Sequence, residues 1–113
     1  MPTPPPVVTD PVTLQWKSLG PGTRLAVMHR LANGAVVQRV QADSGAVFPP
    51  HVHRGGEEVY VISGDYSDDT GRYTAGMYLS YVDGSIHQPW SESGCDLLVI
   101  DWRGHPPIAN PAV

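Results

Sequence analysis

Between residues 24 and 31 the side chains alternate. Leu25, Val27 and His29 fall on one side, and Ala26, Met28 and Arg30 on the other. A period of two belongs to a half-buried strand. Asn33-Gly34 follows, a pair that accepts the positive φ angles of a tight hairpin, so 35–41 reads as the returning strand. The same punctuation continues downstream. Asp43-Ser44-Gly45, Arg54-Gly55-Gly56, Ser63-Gly64-Asp65, Asp68-Asp69-Thr70-Gly71 and Asp83-Gly84 read as turns. Between them lie predicted strands over 51–53, 57–62, 77–82 and 86–90. The longest apolar run, 95–102, reads as a buried strand. Eight or nine short strands and no helix predict an all-β fold. A small antiparallel sandwich or barrel suits them, because closure removes exposed strand edges.

Composition agrees. The chain has 113 residues, with 12 glycines and 12 prolines. Breakers at that density exclude a helical bundle, and the length suits one core. The segment 1–11 holds five prolines and reads as an extended or mobile tail. Residues 104–113 carry three more and read as a second tail, which leaves 12–103 as the domain. The net charge is −4 and Lys17 is the only lysine. Phosphate-backbone binding needs clustered Lys and Arg, so no nucleic-acid partner is expected. No run of apolar residues is long enough to span a bilayer, so no membrane partner is expected either. The proline-rich start lacks the apolar stretch of a signal peptide, and a cytoplasmic protein is expected. Cys95 stands alone, which excludes an internal disulfide and a CxxC metal site. Nothing basic flanks it, so it reads as a small buried hydrophobe.

Candidate chemistry sits in the histidines. His51 and His53 are two apart, on one face of a strand. Glu57 follows across the Gly55-Gly56 turn, and His87 lies on a later strand. Three imidazoles and a carboxylate suit a divalent transition metal and leave coordination positions free for a ligand. An HxH pair by itself is more often surface or packing than ligand. His29 and His105 read as ordinary packed or solvent-facing histidines.

The wider spacing carries a resemblance. From Gly45 through His51, His53 and Glu57 to Gly64, the chain reads G-x5-H-x-H-x3-E-x6-G. Gly76, Val82, Gly84, His87 and Ser91 then follow the pattern G-x5-P-x-G-x2-H-x3-N, with Val82 for the proline and Ser91 for the asparagine. These two motifs resemble those of the cupin superfamily. The resemblance implies a jelly-roll β-barrel, the metal ligands His51, His53, Glu57 and His87, and a homodimer. It selects Glu57 over Glu58, which then reads as solvated surface, with Val59 and Val61 inward and Glu58 and Tyr60 outward.

A finer likeness reaches the subgroup of ChrR-like zinc anti-sigma factors and of dioxygenases that cleave acetylacetone and dihydroxyacetophenone. It rests on the stretch from His51 to Gly76, on Gly84-Ser85-Ile86-His87 and on Ser91 to Cys95. The anti-sigma members carry a helical zinc-binding domain ahead of the cupin. The stretch before Arg24 is too short for one, so that role is not expected.

Two readings remain. The first is a small-molecule dioxygenase acting on a dicarbonyl or hydroxyketone-like substrate. It uses one divalent metal per chain, Fe(II) favoured, with Zn(II), Mn(II) or Ni(II) as alternatives. The second is a metal-loaded module that senses or binds a small molecule without turnover. Tyr60, Tyr78, Tyr81, Trp90 and Trp102 are candidate pocket residues. Asp101, inside an apolar strand, is either an inward group near the metal or an edge residue, with Arg39 or Arg54 as its partner.

Overall fold

The computed structural model describes residues 3–103. Nine strands follow one another: β1 (Lys17–Gly20), β2 (Thr23–Arg30), β3 (Val36–Ala42), β4 (His51–Val52), β5 (Glu57–Asp68), β6 (Gly71–Thr74), β7 (Tyr78–Tyr81), β8 (Ile86–His87) and β9 (Cys95–Asp101). All their pairings are antiparallel. One sheet runs β1-β2-β3-β9-β5-β6, with β7 also paired to β5. A second ladder joins β4 to β8. Bridges from Trp90 to Val47 and to Ser67 tie the loop after β8 back to the larger sheet. This is the expected all-β jelly roll, built as two ladders rather than one continuous ring.

Alternation places the core. Val36, Gln38, Val40 and Ala42 of β3 point inward, as do Cys95, Leu97 and Val99 of β9 and Glu57, Val59 and Val61 of β5. Phe48 and Tyr66 complete the cluster. Each fully buried Val or Leu contributes about 1.5–3 kcal/mol, so these three strands hold the sheet together. On the outward face, Arg39 and Gln41 of β3 meet Asp96 of β9, beside apolar Tyr60 and Ile62 of β5.

Several expectations are corrected. Ser63-Gly64-Asp65 is not a turn. β5 runs through it, with a register shift between Val61 and Ser63. Gly64 makes this possible. Its φ is +78°, and a Cβ there would lie 2.0 Å from the Gly94 carbonyl oxygen. The glycine therefore marks a bulge where two strands touch. β1 and β6, four residues each, were not anticipated. Ahead of β1 the chain makes specific contacts. Thr9 donates to the Met28 carbonyl (2.7 Å), and Asp10 caps a 3-10 turn over Pro11–Thr13. The predicted C-terminal tail, 104–113, and His105 lie outside the described residues. Among the described residues, no helix is long and apolar enough to cross a membrane.

Candidate metal centre

The ladder of β4 and β8 sets His51 directly opposite His87. His53 follows β4 and is held by three backbone bonds: its N–H donates to Ser85 O, and its carbonyl accepts from the N–H groups of Gly84 and Gly56. The chain then reverses through Gly55 and Gly56. Gly56 has a φ of +92°, and a Cβ there would lie 2.8 Å from the Tyr81 carbonyl oxygen. This tight passage brings Glu57, the first residue of β5, to the same place. The four side chains converge so that one ligand atom from each lies within 4.8 Å of the others.

The protonation of the rings follows from their outer partners. His51 Nδ1 lies 3.0 Å from the Pro49 carbonyl. A carbonyl only accepts, so Nδ1 carries the proton and Nε2 is a lone pair. His87 Nδ1 lies 3.2 Å from the carboxylate of Asp68, with the same consequence. His53 Nδ1 lies 2.7 Å from Ser85 Oγ, whose own hydrogen is committed to the Val82 carbonyl (2.7 Å). All three Nε2 atoms therefore present lone pairs to one point. They are 3.1 Å (His51–His53), 2.9 Å (His53–His87) and 3.1 Å (His51–His87) apart. Glu57 Oε1 stands 3.5 Å from His53 Nε2 and 4.0 Å from His51 Nε2. Four acceptors face one another with no donor among them. A cation satisfies that arrangement. Metal–nitrogen bonds of about 2.0–2.1 Å at right angles put neighbouring nitrogens about 3 Å apart, so the residues fit a divalent metal.

The electrostatics agree for two of the three rings. Burial pushes the His53 imidazole down to about 4 and also lowers His87, so both rings are neutral donors. Burial acts downward on His51 too, but Glu57 and the Pro49 carbonyl outweigh it and raise this ring. Burial pushes the Asp68 carboxyl up. Hydrogen bonds from Thr70, Tyr81 and His87 prevail and hold it down at about 2.

Beside the cluster lies a cavity of about 240 Å³. His51 and Glu57 reach it from the metal end, and Leu25, Val40, Phe48 and Leu97 are among its apolar walls. Of the candidate aromatics, Tyr60 and Tyr78 point outward and are exposed. Tyr81 packs on His53 and His87, with ring centroids 4.7 and 4.6 Å away. Trp90 serves the bridges described above. Trp102 donates to Glu58 Oε2 (3.3 Å). Glu58 is thus not plain solvated surface: Tyr78 and Ser80 also donate to it, at 2.6 and 2.8 Å. Asp101 does line the cavity, but its partner is neither Arg39, which pairs with Asp96, nor Arg54, which is exposed. Arg103 takes that place, with Nε 3.1 Å from the carboxylate. Cys95 is buried and burial pushes its thiol up to about 11, as suits a core residue.

Asp68, Ser85, Tyr66 and Gln38 were not anticipated. Asp68 stands in a run that reads as a turn. Ser85 and Tyr66 carry no spacing signal. Gln38 sits at an inward position of an alternating strand, and that polar interruption was the one available sign.

Residues 5–104 match the family of ChrR cupin-like domains. The chain belongs to this family. The anti-sigma-E factor ChrR of Cereibacter sphaeroides is 31% identical over 88 residues, which cover 77% of this chain and 40% of ChrR. The chain thus spans less than half the length of that relative. Its fold matches ChrR of Rhodobacter sphaeroides, solved in complex with SigE, with a TM-score of 0.72 and 28% identity over 81% of this chain and 51% of that one. The acetylacetone dioxygenase of Acinetobacter johnsonii shares the fold at a TM-score of 0.74 and 13% identity, covering 89% of this chain and 75% of that one. The fold is therefore common to proteins named as an anti-sigma factor and as an enzyme.

Proposed function

We propose that this ChrR cupin-like domain holds one divalent transition metal through His51, His53, Glu57 and His87, and that it acts as a small-molecule dioxygenase on a dicarbonyl or hydroxyketone-like substrate. The observation that carries the reading is the convergence of three Nε2 lone pairs and a carboxylate at one end of a mostly apolar cavity.

A bound divalent ion supplies Lewis acidity toward enolate or carbonyl oxygens and, as Fe(II), reactivity toward O2. The chain's own residues do the rest. Pro49, Ser85 and Asp68 fix the tautomers and orientations of the three rings. Glu57 adds the single negative charge among the four ligands. Phe48, Val59, Leu97 and Val99 exclude water around a substrate and strengthen polar contacts within the cavity. The test is oxygen uptake by Fe(II)-reconstituted protein with a panel of β-diketones and hydroxyacetophenones, against His87→Ala. Uptake above that control supports turnover. Iron bound without uptake across the panel contradicts it.

A second reading is favoured by the ChrR relative, whose name is that of an anti-sigma factor. In it the metal-loaded domain binds a small molecule without turnover and passes the occupancy to a protein partner. We also propose a homodimer in a cytoplasmic setting. Exposed Tyr60 and Ile62 on β5, with Met77 just before β7 and Tyr78 at its start, support a self-association surface, and sedimentation tests it.

A further inference from the structure

Gln38 is the anomaly of the interior. It sits on β3 between Val36 and Val40, points inward with them, and is only 3% exposed. Its side-chain oxygen is buried and has no hydrogen-bond partner among the described residues. A buried acceptor without a partner carries the desolvation cost with no return, and folded proteins rarely keep one without a use. Gln38 also lines the same cavity as His51 and Glu57, and rotation about its soft terminal torsion turns the oxygen toward that space.

The register fixes where it stands. Gln38 pairs with Val99, and Val99 pairs on its other side with Val59. The next inward residue of β5 is Glu57. Gln38 and Glu57 therefore lie on opposite sides of β9 and two residues out of register, two strand spacings across and two residues along, or roughly 12 Å apart in backbone terms. Apolar side chains of Val59, Leu97 and Val99 fill the floor between them. The cavity is polar at the metal end, where Asp101 and its partner Arg103 join Glu57, apolar in the middle, and polar again at Gln38, which has no such partner.

We infer that Gln38 is the specificity-determining residue of this cavity: it receives a hydrogen bond from a hydroxyl or N–H on the far end of a small, mostly apolar ligand whose oxygen-bearing end faces the metal cluster. The inference rests on the metal reading above and deepens it. It selects, within oxygen-chelating compounds, those with a distal donor. A plain aliphatic diketone has none and leaves the amide unpaired.

The test compares benzoylacetone with its para-hydroxy analogue on Zn(II)-loaded protein, where no turnover intervenes. Wild type is expected to bind the hydroxylated compound about tenfold more tightly, the size of one well-placed buried hydrogen bond. Gln38→Met keeps the volume and removes the amide. It should abolish the preference and leave benzoylacetone binding undiminished. The ligand-free Gln38→Met protein should also melt at a higher temperature than wild type, because an unpaired buried oxygen has gone. Equal affinities in wild type, or a preference retained in Gln38→Met, would overturn the inference. So would a lower melting temperature or a chain that fails to fold, either of which assigns the amide to the scaffold. Metal content is measured on the same samples, so an empty site counts against the metal reading alone. The melting comparison needs no metal and still decides the role of Gln38.

Discussion

Asp68 and His87, 19 residues apart, meet at 3.2 Å across the end of the jelly roll. The carboxylate is buried and also accepts from the Tyr81 hydroxyl at 2.6 Å and from Thr70. It holds the imidazole with Nε2 aimed at the other ligands. An outer partner of this kind orients a metal ligand and raises its basicity. Asp68→Ala should therefore weaken metal binding by roughly 10- to 100-fold while all four ligands remain. Competition with a chromophoric chelator measures it, and unchanged affinity would remove Asp68 from the site.

The two neighbouring carboxylates should separate cleanly. Glu57→Gln should lower metal content. Glu58→Gln should leave it near that of wild type, because Glu58 faces Tyr78, Ser80 and Trp102 on the outer side. Equal loss in both variants would show that the wrong carboxylate has been assigned.

Acid should loosen the loop before β9. Asp65 is buried, and burial acts to raise its carboxyl. The Ser93 hydroxyl, the N–H groups of Glu92 and Ser93, and Arg72 outweigh burial and hold it below the usual range. A depressed carboxylate contributes stability that is fully present above its unfolded value, about 3.9, and is lost as pH falls through the folded one. The melting-temperature gap between wild type and Asp65→Asn should thus be wide at neutral pH and close below about pH 4. A gap that is constant with pH would mean that the charge of Asp65 contributes nothing.

Gly64→Ala places a methyl group against the Gly94 carbonyl and forces a positive φ on a residue with a Cβ. The cost should exceed about 1 kcal/mol in a urea titration. Gly45→Ala makes a useful contrast. Its φ is also positive, but a Cβ there meets nothing within 4 Å, so its loss should be smaller.

Some of this was legible in the chain and some was not, for physical reasons. Alternation announced β2, the Asn33-Gly34 turn announced its return as β3, and the longest apolar run announced β9. The ligands His51, His53, Glu57 and His87 were proposed from spacing, since the two-residue period puts both histidines on one face and a glycine turn returns the chain at Glu57. The continuation of β5 was hidden because a glycine with positive φ reads as a turn, whereas here it serves a bulge. β1 and β6 are too short to show a period. Asp68 and Gln38 were hidden for another reason: their roles depend on pairings between strands distant in sequence. A turn-like acid becomes the support of His87, and an ordinary glutamine becomes an unpaired oxygen in a cavity, only when the strands are assembled.

Protein freed of metal, reloaded with Fe(II) under argon and desalted should carry one iron per chain by elemental analysis, and His87→Ala treated in the same way should carry almost none. Wild type that retains no iron or other divalent transition metal, or His87→Ala that retains a full equivalent, would contradict the assignment of these four residues as a metal centre.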